Sequence, residues 1–119
     1  MSIHNADAFV VSCIDFRFQK YIRKWLDKNF ADKTYDYIGY AGASKELKTI
    51  IKQLDISVRL HHISQVVIIH HEDCGAYGQD NSVEIHRQNA IKLANSLKEI
   101  KPSLEVTTLI TTFQGIRPL

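Results

Sequence analysis

The sequence predicts an α/β fold, a three-layer sandwich with a mainly parallel sheet of about four strands in the order 2-1-3-4. Short apolar runs alternate with amphipathic segments of helical length along the chain, which is the pattern of repeated strand–helix units. Such units join parallel strands through right-handed crossovers. The chain has the length of one domain with a modest core, so residues 1–119 are expected to form a single domain.

The first half of the chain is predicted to contain two strands and two helices. Residues 8–12 form a short apolar strand, and residues 18–30 carry apolar side chains at helical spacing. A second strand is predicted over residues 34–40. Ser44 is then the predicted N-cap of a helix that continues to about residue 62.

The second half continues the alternation of strands and helices. Residues 66–69 are four branched aliphatic side chains, as in a strand buried on both faces. Asn81 and Glu84 have the spacing of a capping box at the start of the third helix. A fourth strand is predicted over residues 104–113, and residues 114–119 are predicted to be a tail.

The composition is that of an ordinary soluble protein, with 45% hydrophobic and 24% charged residues. A formal net charge of +2 does not indicate binding to nucleic acid. The apolar runs are too short to cross a membrane, and the first residues lack the pattern of a signal peptide, so a cytoplasmic location is expected. Two lone cysteines in a reducing compartment are more often buried, ligating or catalytic than joined in a disulfide.

The stretch with the most side chains suited to chemistry follows the third strand, where the sequence changes from apolar residues to potential metal ligands. His71 and Cys74 have His-x-x-Cys spacing, and Cys13 follows the first strand. In the predicted order these strands are neighbours where the strand order reverses, which brings the three side chains together. Two thiolates and an imidazole are a typical set for catalytic Zn²⁺, with the fourth position open.

Two further side chains stand close to Cys13 in the sequence. Asp15 and Arg17 alternate with it, and alternation places all three side chains on one side of an extended chain. Arg17 can hold the Asp15 carboxylate ionised. Because zinc lowers the pKa of bound water to about 7, Asp15 can accept a hydrogen bond from the resulting hydroxide. Asp15 can also occupy the fourth zinc position and block it.

Together, Cys-x-Asp-x-Arg after strand one and His-x-x-Cys-Gly after strand three resemble the β-class carbonic anhydrases, over nearly the whole chain. The resemblance implies zinc bound by Cys13, His71 and Cys74, with Asp15 and Arg17 as the gatekeeping dyad. The reaction of that family is hydration of carbon dioxide to bicarbonate by attack of zinc hydroxide.

The sequence departs from the pattern of that family at several positions. Phe16 replaces a small residue between the Asp and the Arg, and His70 replaces the Gly before the ligand histidine. The sequence Gly-Tyr-Ala-Gly at residues 39–42 stands where Arg-Asn-Ala-Gly is common. Only seven residues precede strand one, so the long N-terminal arm of the family is not expected.

The resemblance also implies a substrate pocket and a partner subunit. The predicted apolar wall that admits carbon dioxide is formed by Phe16, Tyr40, Gly75 and Ala76. A homodimer or a higher homo-oligomer is expected, because a chain this small would expose much apolar surface as a monomer.

Other interpretations of the same residues stay open at this level. The cysteines can be buried apolar thiols, His70 competes with His71 as a ligand, and Asp15 with Arg17 can be a structural ion pair. His61, at a helix end, is interpreted as a partner of the helix dipole.

The alternative functions are hydrolysis of carbonyl sulfide or carbon disulfide at the same site, a non-catalytic zinc-binding module, and a thiol-based redox protein. The redox function is the weakest alternative, since the chain has no Cys-x-x-Cys motif.

Overall fold

A computed structural model describes residues 2–119 of the chain. Five strands and three α-helices follow one another in this order: β1 (Ala8–Ser12), α1 (Gln19–Asn29), β2 (Tyr35–Gly39), α2 (Leu47–His61), β3 (Gln65–His71), α3 (Val83–Ile100), β4 (Glu105–Thr112) and β5 (Gly115–Pro118). Short 3-10 turns at Phe16–Phe18 and Gly75–Tyr77 follow β1 and β3. The α-helices and first four strands lie where the sequence predicted them, within a few residues.

The strands form one sheet in the order β2-β1-β3-β4-β5. The first four strands are parallel, which confirms the predicted order 2-1-3-4. The prediction of a tail over residues 114–119 is wrong, because β5 pairs with β4 in an antiparallel hairpin. Gly115 has a φ of +130° at the end of the turn, a value that a residue with a side chain rarely adopts.

The sheet lies between two layers of helix. On one face, α2 and α3 bury a cluster that includes Leu54, Leu93 and Leu97 against the sheet. On the other face, α1 buries Ile22 and Leu26 against β1 and β3 in a second cluster. A strand covered on both faces needs apolar side chains in both directions, which explains the continuous aliphatic run in β3. The predicted three-layer α/β sandwich is confirmed.

Two predicted helix starts are wrong for the same reason. The predicted cap Ser44 lies outside α2, and its hydroxyl contacts the ring of His70 instead. The side chain of Asn81 accepts the backbone N–H of Cys74, so Ser82 caps α3 in its place. In both cases a polar residue typical of a helix cap forms a hydrogen bond to a group outside the helix instead.

The register of the sheet determines where the polar residues meet. Ser12 pairs with Ile69, so the carboxyl ends of β1 and β3 lie side by side. Cys13 directly follows β1, and His71 is the last residue of β3. Over residues 2–119, none of the helices combines the length and the apolar character needed to span a membrane.

Candidate metal centre

Cys13, His71 and Cys74 converge at the carboxyl edge of the sheet. Their ligand atoms all lie within 4.8 Å of one another, and all three residues are buried. The two Sγ atoms are 3.8 Å apart, and both cysteines are free thiols. Topology therefore joins residues that are 61 positions apart in sequence, as the strand order predicted.

The imidazole of His71 presents a nitrogen lone pair to this cluster. Its Nδ1 lies 2.6 Å from the carbonyl oxygen of Glu72, which can only accept, so Nδ1 carries the hydrogen. Nε2 is then the bare nitrogen, and within residues 2–119 it is buried without a hydrogen-bond partner. The ring is fixed in place by stacking on Phe18, with centroids 4.5 Å apart. A buried nitrogen lone pair beside two thiols suits a zinc ion.

The surroundings of the two thiols favour one negative charge shared by the pair. The pKa of Cys13 lies well below its ordinary value because the thiol of Cys74 donates a hydrogen bond to it and the Gly42 N–H adds to the effect, although burial opposes both. The pKa of Cys74 is raised for the reciprocal reason and by burial. Both thiols ionise together only when a cation balances the second charge, which is the electrostatic setting of a metal site.

Asp15 and Arg17 form a dyad beside the cluster. The Arg17 Nη2 and Nε groups donate to Asp15 Oδ2 at 2.7 and 3.2 Å, and Nε also donates to Oδ1 at 3.1 Å. These hydrogen bonds lower the pKa of the Asp15 carboxyl to about 2, although burial opposes them. Asp15 Oδ2 lies 3.8 Å from His71 Nε2, at the edge of the ligand cluster.

Arg17 is itself held by Asp73, to which neither sequence motif assigns a role. Its Nη1 donates to Asp73 Oδ2 at 3.0 Å, and its Nη2 donates to the Asp73 carbonyl at 2.9 Å. Asp73 has a φ of +53°, the left-handed conformation in which Asp is tolerated better than most residues. The guanidinium thus joins the loop after β1 to the loop after β3.

The four predicted pocket residues lie in different surroundings. Gly75 and Ala76 directly follow Cys74 in a 3-10 turn. The side chain of Phe16 is 85% exposed. Tyr40 packs against the cluster on the α2 and α3 face of the sheet. Of the four, Gly75 and Ala76 are closest in sequence to a member of the three-residue cluster.

A row of buried, hydrogen-bonded polar groups lies next to the candidate metal centre. His70 and His86 are 1% and 0% exposed, and their Nδ1 atoms lie 2.8 Å apart. Burial lowers the pKa of His70 to about 3 and also lowers that of His86, so both rings are neutral. His70, which the sequence left open as a rival of His71 for the metal, belongs to this buried pair instead.

The Asn81 side-chain oxygen, at one end of this row of polar groups, determines the direction of every hydrogen bond along the row. Asn81 Oδ1 accepts from the Cys74 N–H at 2.8 Å and faces His86 Nε2 at 3.4 Å, so that ring nitrogen is the donor. His86 Nδ1 must then accept from His70 Nδ1. At the other end, the Ser44 hydroxyl donates to His70 Nε2 at 2.7 Å. The backbone of Cys74 is thus tied to a buried polar network.

Solved structures of carbonic anhydrases share this fold. The enzyme from Glaciozyma antarctica aligns with 98% of this chain and 84% of its own, with a TM-score of 0.67 and 16% identity. The enzyme from Streptococcus mutans aligns with 99% of this chain and 84% of its own, with a TM-score of 0.66 and 18% identity. The β-carbonic anhydrase CafA of Aspergillus fumigatus gives 0.58 at 16% identity, over 98% and 76% of the two chains. The fold is therefore that of the β-carbonic anhydrases.

The family follows from the sequence itself. A family model described as "Putative carbonic anhydrase" matches residues 3–115, and the chain belongs to that family. Uncharacterised proteins of Rickettsia bellii and Rickettsia conorii are 26% and 28% identical to it. Their alignments cover 97% of this chain and 82% and 72% of the two relatives. The protein is thus a carbonic anhydrase-like member of this family with a possible Cys/His/Cys metal site.

Proposed function

We propose that the protein is a zinc-dependent carbonic anhydrase that hydrates carbon dioxide to bicarbonate and releases a proton. Cys13, His71 and Cys74 would hold the ion. The observation that carries the proposal is the placement of Asp15, whose carboxylate is paired with Arg17 and lies 3.8 Å from the bare nitrogen of His71. A purely structural zinc site would need a fourth ligand rather than an acceptor held by an arginine.

Zinc with three protein ligands supplies hydroxide near neutral pH, because it lowers the pKa of bound water to about 7. The protein must then orient that nucleophile and keep competing groups away. Asp15 is suited to the first task, since an ionised carboxylate accepts hydrogen bonds only and selects one orientation of an O–H donor.

Arg17 keeps the carboxylate in position and out of the open ligand site. Three hydrogen bonds of its guanidinium go to Asp15 oxygens and two go to Asp73, and the Arg17 backbone N–H also donates to Asp15. A carboxylate free of this clamp could turn toward the ion and occupy the substrate position. Asp73 therefore supports the dyad from the opposite loop, although it stands outside the Cys-x-Asp-x-Arg motif.

Several further features belong to the proposal. Gly75 and Ala76 would leave room for a small apolar substrate next to Cys74, with Phe16 and Tyr40 forming the outer wall. The protein would work as a single domain over residues 1–119, in the cytoplasm, and as a homodimer or higher homo-oligomer. Ultracentrifugation at micromolar concentration tests the oligomer, and a monomer alone would remove that part.

The first experiment is stopped-flow hydration of carbon dioxide by zinc-loaded protein of measured metal content. We expect a zinc-dependent rate that rises with pH as a group of pKa about 7 ionises. Cys74→Ser should lose most of the zinc. Asp15→Asn should keep the zinc but lower turnover, because an amide cannot act as an acceptor-only partner. The matched control is Asp32→Asn, which changes an exposed acid in the turn after α1 and should leave both quantities unaltered.

The contrary results separate the alternatives. Full zinc retention in Cys74→Ser would show that the ligand set is wrong. Unchanged turnover in Asp15→Asn would remove Asp15 from the mechanism. One zinc per chain without any hydration rate would overturn the proposal, and assays with carbonyl sulfide and carbon disulfide would then distinguish a related hydrolase from a silent zinc module.

A further inference from the structure

Three polar side chains meet at the opposite edge of the sheet from the candidate metal centre. His61 is the last residue of α2, Asp36 lies in β2, and His4 precedes β1. The Nε2 atoms of the two histidines are 3.0 Å apart. His4 precedes the start of β1 and Cys13 follows its end, so this cluster is separate from the Cys/His/Cys site.

The hydrogen bonds on the far side of each ring show where the ring hydrogens lie. His61 Nδ1 is 2.6 Å from Asp36 Oδ2, and a carboxylate accepts, so this nitrogen is the donor. His4 Nδ1 is 2.8 Å from the carbonyl oxygen of Ser2, which also only accepts. In the neutral rings both Nε2 atoms therefore carry lone pairs. Two lone pairs that face each other at 3.0 Å need a cation between or beside them.

We propose that His4 and His61 form a second metal site, which binds Ni²⁺ or Cu²⁺ through their Nε2 atoms. With metal–nitrogen bonds of about 2.0–2.1 Å, a nitrogen separation of 3.0 Å corresponds to an angle of about 95° at the metal. Tetrahedral zinc would hold the two nitrogens about 3.3 Å apart. An angle near 90° is that of neighbouring ligands in square-planar or tetragonal sites, which nickel and copper prefer.

The surroundings of His61 are those of a metal-binding histidine. Asp36 Oδ2 accepts from both His61 Nδ1 and the hydroxyl of Ser57, each at 2.6 Å. A carboxylate behind the ring fixes its tautomer and makes the exposed nitrogen a better ligand. The His61 side chain is only partly buried, with 26% of it exposed.

The segment before β1 is already attached to the end of α2. The Ala6 N–H donates to the carbonyl oxygen of His61 at 2.9 Å, so the backbone of this segment already contacts the end of α2. A metal bound by His4 and His61 would add a second link between the same two elements. Metal binding should therefore order the residues before β1 together with the end of α2.

The test is calorimetric titration of the zinc-loaded full chain with Ni²⁺, an ion that does not oxidise thiols. We expect one Ni²⁺ per chain, with no zinc released to a chromogenic chelator. His61→Ala and His4→Ala should each abolish this binding. Asp36→Asn should weaken it by about 10- to 100-fold, the usual effect of removing the partner of a ligating histidine. His62→Ala is the matched control, because it removes the neighbouring exposed imidazole.

A second readout identifies the ligands directly. In ¹H–¹⁵N spectra of the imidazole groups, paramagnetic Ni²⁺ should broaden the His4 and His61 signals first and leave those of His70 and His86 sharp. His61→Gln provides a variant of similar size, and circular dichroism shows whether each variant is folded. Equal Ni²⁺ binding in a folded His61 variant would overturn the proposal, as would zinc release matching the Ni²⁺ bound. An absence of Ni²⁺ binding would show that the two histidines share only a proton.

Discussion

The buried contact between His70 and His86 allows a quantitative prediction about stability. In His86→Leu a side chain of similar size fills the space, but the Nδ1–H of His70 loses its acceptor, His86 Nδ1. His70 is 1% exposed, so water does not replace the lost partner. A buried donor left without an acceptor costs about 1–3 kcal/mol. This is a large part of the roughly 5–15 kcal/mol that stabilises a typical domain.

His70→Leu should cost at least as much, because it leaves two groups unpaired. The Ser44 hydroxyl loses its acceptor, and His86 Nδ1 loses its donor. In the double variant the contact between the two rings disappears from both sides, and only the Ser44 hydroxyl stays unpaired. The double variant avoids the cost of both unpaired ring nitrogens and should therefore be more stable than the sum of the two single losses predicts, by about 2–6 kcal/mol.

Urea unfolding of the metal-free protein measures this coupling free energy, with the single tryptophan, Trp25, as the fluorescent probe. Leu26→Ala is the control partner, because Leu26 packs on the opposite face of the sheet. Its loss should add to that of His86→Leu within about 0.5 kcal/mol, as for independent sites. A coupling between His70 and His86 no larger than this control would show that the proposed direction of the hydrogen bonds is wrong.

Three more predictions concern the loops around the centre. Asn81→Ala removes the acceptor of the Cys74 N–H and should lower zinc affinity by about 10- to 100-fold, measured by competition with a chromogenic chelator; unchanged affinity would show that the tie is not needed. Gly42→Ala should lower the urea midpoint, because φ of Gly42 is +81° and a Cβ there would lie 3.0 Å and 3.2 Å from two neighbouring side-chain atoms. As the control, Gly75→Ala places a Cβ with no atom within 4 Å and should leave the midpoint nearly unchanged. Burial raises the pKa of Tyr77 to about 12, so between about pH 10 and pH 12 the unfolded chain loses a proton that the folded chain keeps and stability falls as pH rises. Tyr77→Phe should show a smaller fall in urea midpoint over that range, and an equal fall would contradict the assignment.

The sequence alone was sufficient to predict the layers of the fold. Aliphatic runs of strand length and apolar stripes of helical period are local signals, since each depends on residues within one element. The order of the strands followed from general rules for parallel α/β sheets. The same rules brought Cys13 beside His71 and Cys74, because the ends of neighbouring parallel strands share one edge of the sheet.

Other features depended on partners outside the element to which a residue belongs. Ser44 and Asn81 both have the composition of helix caps, yet each contributes its polar atoms to the interior. A residue with two possible partners pairs with the group that the packed structure would otherwise leave without a hydrogen bond. The local sequence pattern does not show which group that is. The fifth strand was missed for a similar reason, since residues 115–118 gain their strand character from pairing with β4.

The residues themselves therefore determined the architecture and the three-residue cluster, through periodicity, spacing and strand order, and they indicated the family through the resemblance of two motifs. Only the tertiary structure decided how that cluster is supported and which side chains meet elsewhere in the fold. The attachment of Arg17 to Asp73 and the facing rings of His4 and His61 depend on distances of a few ångströms between separate loops and elements. Such distances are set by the packing of the whole domain, because hydrogen bonds and ligand geometry change within less than one ångström.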